Sequence, residues 1–249
     1  FELKIHFQGV GKTIAVRHYL PSDDVGQMVL EEEFVSRNLD FFIGKEGGNT
    51  FVQWIGKPLK GDVQLFYRGT VQTWPRTPGL ISSSLKEKYP SKVSQYLLAK
   101  PEVESIAVEI KEFLGGLVGE KKNNLEKIRG IYDFLVQDVE TVPFSKETSL
   151  TAPIRTRKAT IAEKKRLFIY LSRMVGVPTR AVHGISFGQE IKQKRILSWA
   201  EVLSREAWVP IDVENRLFAQ LPENLLILYR GDAPFMDSSG VKSLEYGYT

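Results

Sequence analysis

The chain predicts an α+β fold in which a strand-rich N-terminal region precedes a mixed helical and β core. Three observations carry this reading. Up to about residue 76, apolar and β-branched residues alternate in short runs broken by Gly, Asn and Pro. Between residues 103 and 175 they recur at helical spacing. From residue 180 the strand pattern returns, and helices followed by several strands give an α+β arrangement. The expected division is an antiparallel β-sandwich or sheet over 1–78 and an α+β core over 79–249.

In the first region, Thr13 to Leu20 reads as a strand stopped by Pro21-Ser22-Asp23-Asp24. Phe41-Phe42-Ile43 and Phe51 to Ile55 flank a loop containing Gly47-Gly48-Asn49, a hairpin signal. Val63 to Trp74 continues the strand pattern. Pro75 and Pro78 then mark the change of character. Val103 to Leu117 and Asn124 to Gln137 read as helices, the second capped by Asn123 or Asn124 and lined by Leu125, Ile128, Ile131, Tyr132 and Leu135. Ala159 to Val175 is a third helix, ended by Gly176. Strands are expected at Arg180 to Ile185, Ile196 to Leu203 and Ala207 to Asp212, and Tyr246 to Thr249 also reads as strand.

The 249 residues are 42% hydrophobic and 26% charged, enough apolar bulk for a sizeable core. A net charge of +4 suits contact with anionic surfaces but is too weak to argue for nucleic acid, and no nucleic-acid or zinc signature is present. There is no cysteine, which removes disulfides, thiolate metal sites and any thiol nucleophile from these residues. No apolar run approaches the ~20 residues that span a bilayer. The ends, Phe1 and Thr249, read as cut from a longer polypeptide.

Gly9-Val10-Gly11-Lys12-Thr13 superficially suggests a phosphate-binding loop. The required earlier glycine is His6, however, and the residues after Lys12 alternate as a strand, so a hairpin turn is expected instead. His6, His18 and His183 have no companions at ligand spacing, so no metal or cofactor is predicted.

The informative stretch runs from Lys158 to Asp212. Arg173-Met174-Val175-Gly176-Val177-Pro178-Thr179-Arg180 closes a helix and opens a strand. Ser198-Trp199-Ala200-Glu201-Val202 and Ala207-Trp208-Val209-Pro210-Ile211-Asp212 follow. In order and spacing these resemble the transglutaminase-like core, of papain-like cysteine protease type, over about residues 120 to 215. The resemblance implies a Cys–His–Asp site in which a thiolate is activated by an imidazole that a carboxylate orients. Counting from Phe168, Gly176 and Trp199, the Cys and His positions fall on Ile161 and Leu197, and only Asp212 remains. A slip of one residue reaches Thr160, Ala162, Ile196 or Ser198, none of which restores the pair. The old centre is expected to have repacked as core, since a lone buried imidazole would be unfavourable.

Two basic segments frame this region: Arg155, Arg157, Lys158, Lys164, Lys165 and Arg166, and then Lys192, Lys194 and Arg195. They read either as solvated charge runs or as a rim that binds an anionic ligand through forked contacts. Trp199 and Trp208 are expected to support the cleft wall.

The N-terminal strands with Trp54 and Trp74, the missing Cys and His, and Arg230-Gly231-Asp232-Ala233-Pro234 resemble the inactive transglutaminases fused to seven transmembrane helices. That resemblance implies a non-catalytic binding, interaction or sensory domain in the periplasm of a bacterial inner-membrane protein. Its partner would be an envelope protein, a peptide or an anionic ligand, and its transmembrane helices would lie outside these residues. A carboxylate- or metal-dependent enzyme at another site and a structural spacer are the alternatives.

Overall fold

In a computed structural model, the structure describes residues 1–78, 89, 91–97, 104–119, 123–145, 149–187, 196–204 and 207–249. The chain forms two compact units. The first comprises 1–76, 182–198 and 222–249; the second comprises 77–181 and 199–221. The segments 182–198 and 222–249, expected with the α+β core, cluster with the N-terminal strands instead. The physical reason is long-range pairing: the last strands hydrogen-bond to the first.

In the first unit, β1 (Glu2–Leu20), β2 (Gln27–Ser36), β3 (Asp40–Glu46) and β4 (Asn49–Thr73) are antiparallel. β1 pairs with β4 along nearly its whole length, and β2 and β3 line the other side of β4. The Gly47-Gly48 hairpin is present, with φ of 58° and 82° and Glu46 opposite Asn49. Two successive positive-φ glycines match the twist of the flanking strands.

The Gly9 to Thr13 segment is not the expected hairpin turn. It is an irregular stretch within β1, with register shifts at Val10/Lys12 and Lys12/Ile14. Inward side chains before it are odd-numbered (Leu3, Ile5, Phe7) and after it even-numbered (Ile14, Val16, His18, Leu20), as bulges require. A Cβ on Gly9 would lie 2.6 Å from the Leu59 carbonyl oxygen, so the close strand approach there requires glycine.

The remaining elements are α1 (Glu104–Val118), α2 (Asn124–Asp133), β5 (Glu140–Thr141), α3 (Ala152–Thr156), β6 (Lys158–Ala159), α4 (Ile161–Met174), β7 (Thr179–Ser186), β8 (Ile196–Ser204), β9 (Ala207–Asp212), β10 (Leu217–Phe218), β11 (Leu225–Arg230), β12 (Met236–Ser239) and β13 (Val241–Tyr248). Strands β10-β9-β8-β7-β11 form a five-stranded sheet in that order, while β12 and β13 pair antiparallel with β1. Of the two candidate caps, Asn123 caps α2 by accepting from the Glu126 N–H at 2.9 Å. The end of that predicted helix widens into a π turn over Phe134–Asp138.

Each unit has its own core. Leu3, Ile5, Phe7, Val16, Trp54 and Leu65 are buried in the first with Ile185, Leu226 and Leu228. Ile110, Ile128, Leu135, Leu167, Phe168 and Leu171 are buried in the second with Val202, Val209 and Ile211.

Two side-chain amides stand in for a neighbouring strand along β11. Gln27 Nε2 donates to the Ile227 carbonyl at 2.9 Å and Gln27 Oε1 accepts from the Ile227 N–H at 2.7 Å. Asn49 does the same for Arg230, at 2.7 and 2.8 Å. Both amides are buried, so each satisfies backbone groups that water does not reach. Gln27→Ala is expected to lower the unfolding free energy by about 2 kcal/mol, because the Ile227 N–H is orphaned. A shifted urea midpoint at unchanged slope would show this, whereas a shift indistinguishable from zero would mean that the pairing contributes nothing.

Candidate functional site

Helix α4 is the element on which the sequence-assigned site depends. Thr160 is its N-cap: Thr160 Oγ1 accepts from the Glu163 N–H at 3.3 Å, and Glu163 Oε2 accepts from the Thr160 N–H at 2.7 Å. The positive end of a helix lowers the pKa of a cysteine placed there and favours an anion. Here that potential faces the Glu163 carboxylate, and the first helical residue is Ile161. Ile161 itself carries no nucleophilic atom.

Asp212, at the end of β9, is 3% exposed. Its Oδ1 accepts from the N–H groups of Glu214 and Asn215 at 2.9 and 3.1 Å, and its Oδ2 accepts from Asn215 Nδ2 at 2.7 Å. The carboxylate therefore organises the turn that follows it. The Tyr132 hydroxyl belongs to the same polar neighbourhood; its pKa is raised by burial first, with Asp133 and Asp212 adding to the rise.

Ile161 and Asp212 belong to the second unit and Leu197 to the first. Ile161 and Leu197 are only half-buried, and neither is part of a core cluster. The expectation that these positions had become core does not hold. A first-turn helix position beside its cap keeps one side open, and Leu197 lies one residue into a strand whose full burial begins at Trp199.

The predicted basic segment separates into distinct environments. Arg155 lies in α3 and is exposed. Arg157 caps that helix with φ of 56°, its guanidinium 4.7 Å from the centre of the Phe134 ring. Lys158 is exposed, 3.5 Å from Glu140, and Arg166 is exposed on α4. Lys165 donates to Glu214 Oε2 at 2.6 Å.

Lys164 departs from the expectation of a solvent-facing cation. It is 3% exposed and donates to the Val139 carbonyl at 2.5 Å. Burial, with Arg216 adding to it, pushes its pKa down. The (CH2)4 stem is buried while the ammonium ties α4 to Val139, the residue between the π turn and β5. Lys192, Lys194 and Arg195 lie outside the described residues.

The sequence reading gave no role to the contact between Arg180 and Glu201. Arg180 Nε and Nη2 both donate to Glu201 Oε2, at 2.9 and 2.6 Å, and Glu201 is 0% exposed. The guanidinium lies 3.8 Å from the centre of the Trp208 ring, which meets Tyr96 edge-on at 5.4 Å. These groups support the second unit's half of the sheet. Trp199 is 1% exposed. Among the described residues, no group of three or more His, Asp or Glu could hold a metal ion, and no helix is long and apolar enough to cross a membrane.

Comparison with known proteins gives these side chains a family context. Residues 111–213 match the transglutaminase-like superfamily. Residues 1–132 match the family described as inactive transglutaminase fused to 7 transmembrane helices. An uncharacterized protein of Haemophilus influenzae is 25% identical over 187 residues, covering 68% of this chain and 49% of that protein. The chain thus spans about half that relative's length. A solved structure described as a candidate cysteine protease, from Cytophaga hutchinsonii, superposes with a TM-score of 0.67 at 16% identity. It covers 98% of this chain and 89% of that one, so the transglutaminase-like α+β fold is shared. The periplasmic domain of TgpA from Pseudomonas aeruginosa aligns at a TM-score of 0.47 and 11% identity, over 86% of this chain and 87% of that domain.

Proposed function

Because the chain belongs to the inactive transglutaminases fused to seven transmembrane helices, we propose that these residues are a non-catalytic binding domain. In this reading it faces the periplasm as part of a bacterial inner-membrane protein. It recognises a peptide, an anionic ligand or an envelope protein, and passes that state to transmembrane helices elsewhere in the polypeptide.

The observation that carries the reading is the start of α4. The Thr160–Glu163 box closes the helix end, Ile161 is its first residue, and the whole sequence contains no cysteine. We assign Ile161, Leu197 and Asp212 to the family's Cys, His and Asp positions. Without a thiolate and an imidazole the acyl-transfer chemistry has no nucleophile and no base. What remains is a scaffold with the exposed cations Arg155, Arg157 and Lys158 on one short segment, suited to anion contacts. Lys192, Lys194 and Arg195 would extend that basic surface.

The test is photocrosslinking in living cells with the full-length protein. A photoreactive residue replaces Lys158, whose side chain is 62% exposed, and a control replaces Val25, which is 78% exposed. A discrete adduct specific to Lys158 is expected, a protein-sized one identifying a partner and a small one a ligand. Equal labelling at both sites, or none at Lys158 with normal expression, would overturn the binding role of this segment.

Restoring Ile161→Cys and Leu197→His together is expected to yield no measurable acyl transfer, since the Glu163 carboxylate already occupies the helix end. Turnover by that double variant in an amine-incorporation assay would show that the supporting shell is intact.

A further inference from the structure

We propose that β3 is a homotypic docking edge, through which a second copy of this chain adds its own β3 antiparallel and continues the sheet. This goes beyond the binding role assigned to the second unit and rests on the first unit alone. Among the described residues, β3 pairs with β4 and with no other strand, so its outer backbone groups form an open edge. Open edges are ordinarily guarded by charge, proline or shortness. This one presents Phe41, Phe42 and Ile43 in succession, exposed by 44%, 50% and 48%.

The register explains why these residues are exposed. Phe41 lies beside Trp54 and Val16, and Ile43 beside Val52 and His18, the four neighbours all being fully buried. Ile43 is thus the outermost member of its core-facing row, while Phe41 also stacks on Phe34 of β2, with ring centres 4.8 Å apart. Phe42 ends an outward-facing row with Gln53 and Arg17. An added strand would extend both faces of the sheet, which a lipid surface could not do without leaving the edge amides unpaired.

Electrostatics selects a second copy and its register. Two identical strands related by a two-fold axis can pair centred on Phe41, Phe42 or Ile43. Centring on Ile43 places Asp40 opposite Glu46 twice, which is unfavourable, and centring on Phe41 pairs only residues 40–42 of the strand. Centring on Phe42 puts Phe42 opposite Phe42 and Phe41 opposite Ile43, with no directly opposed like charges. Asp40 then meets Gly44, beside which the Phe51 ring lies with the Arg17 guanidinium 3.8 Å from its centre. On that face Arg17 is paired with Glu46 across the sheet.

A seven-residue strand is about 23 Å long, which makes an interface at the small, transient end of the range. Confinement to a plane by fused transmembrane helices raises the effective concentration and populates such a contact.

The absence of cysteine makes the test clean. In the selected register the two Phe42 Cα atoms are ~4.5–5.5 Å apart, within the span of a disulfide. The chain and the full-length protein in membranes, each carrying Phe42→Cys, are expected to form a reducible dimer under mild oxidation. Lys45→Cys, whose two copies would be about 20 Å apart along the strands, is expected to stay monomeric. Phe41→Lys with Ile43→Lys, added to Phe42→Cys, should cut dimer yield at least tenfold while leaving the circular dichroism spectrum unchanged. Dimers of equal yield at positions 42 and 45, or none at 42 in either setting, would overturn the proposal. So would yield unaffected by the lysines.

Discussion

Glu201→Ala is expected to lower the unfolding free energy by about 3–5 kcal/mol, the range for breaking a buried ion pair by removing one partner. Glu201 is 0% exposed and Arg180 is 14% exposed, so the loss takes the carboxylate partner from a guanidinium in a largely dry site. Arg180 also packs against Trp208 at 3.8 Å, so its displacement loosens the aromatic contacts that hold the second unit's half of the sheet. Arg180→Met on the Glu201→Met background should recover much of the loss, because replacing both charges by apolar groups removes the uncompensated one. Urea denaturation of the two single variants and the double variant measures this directly. A single-variant effect below about 1 kcal/mol, the level of a surface pair, would mean that the contact is solvated in practice.

The second large effect is a pH dependence built into the first unit. His18 is fully buried in β1 between the Tyr67 and Phe235 rings, with Nδ1 donating to the Tyr19 carbonyl at 3.2 Å. Burial is the larger influence and depresses its pKa from 6.5 to about 4, against a smaller opposing effect of the Tyr19 contact. The folded protein therefore holds the ring neutral where the unfolded chain would protonate it. The associated stability is fully present above pH 6.5 and is lost as pH falls from there toward 4. Over that interval the unfolding free energy is expected to drop by about 3 kcal/mol. His18→Leu should remove this component of the slope, whatever it does to absolute stability. Parallel slopes for wild type and His18→Leu between pH 6.5 and 4 would show that the ring is not held neutral.

Much of this architecture could be read from the chain because it is written in local chemistry. Asn123, Gly176 and the Gly47-Gly48 pair each determine one backbone event, and each stands where its chemistry placed it. The transglutaminase-like order of motifs was visible because it depends on spacing within one hundred residues. The bulged stretch in β1 was misread as a turn, since Gly-Val-Gly offers the same local flexibility to both. The discriminating signal was the change of phase from Leu3, Ile5 and Phe7 to Ile14 and Val16. Long-range partners left no local trace. Nothing near Gln27 indicates that it serves Ile227, and nothing near β13 indicates that it pairs with β1. Lys164 was concealed by its neighbours: in a run of cations the one that packs inward has the same letters as those that do not. Lys164 faces the core because its helix position falls on the same side as Leu167 and Phe168.

Asp212 organises the turn after β9, and the non-catalytic role proposed for the domain requires that it do no more. Its three accepted hydrogen bonds all come from Glu214 and Asn215. The most direct test is an assay of the purified chain for peptide hydrolysis and for amine incorporation into glutamine-containing peptides, run beside Asp212→Asn. The account predicts no turnover above the protein-free rate for either protein, and a measurable loss of stability for Asp212→Asn. Turnover by the wild-type chain that disappears in Asp212→Asn, with the fold preserved, would contradict it and show that chemistry persists at this site.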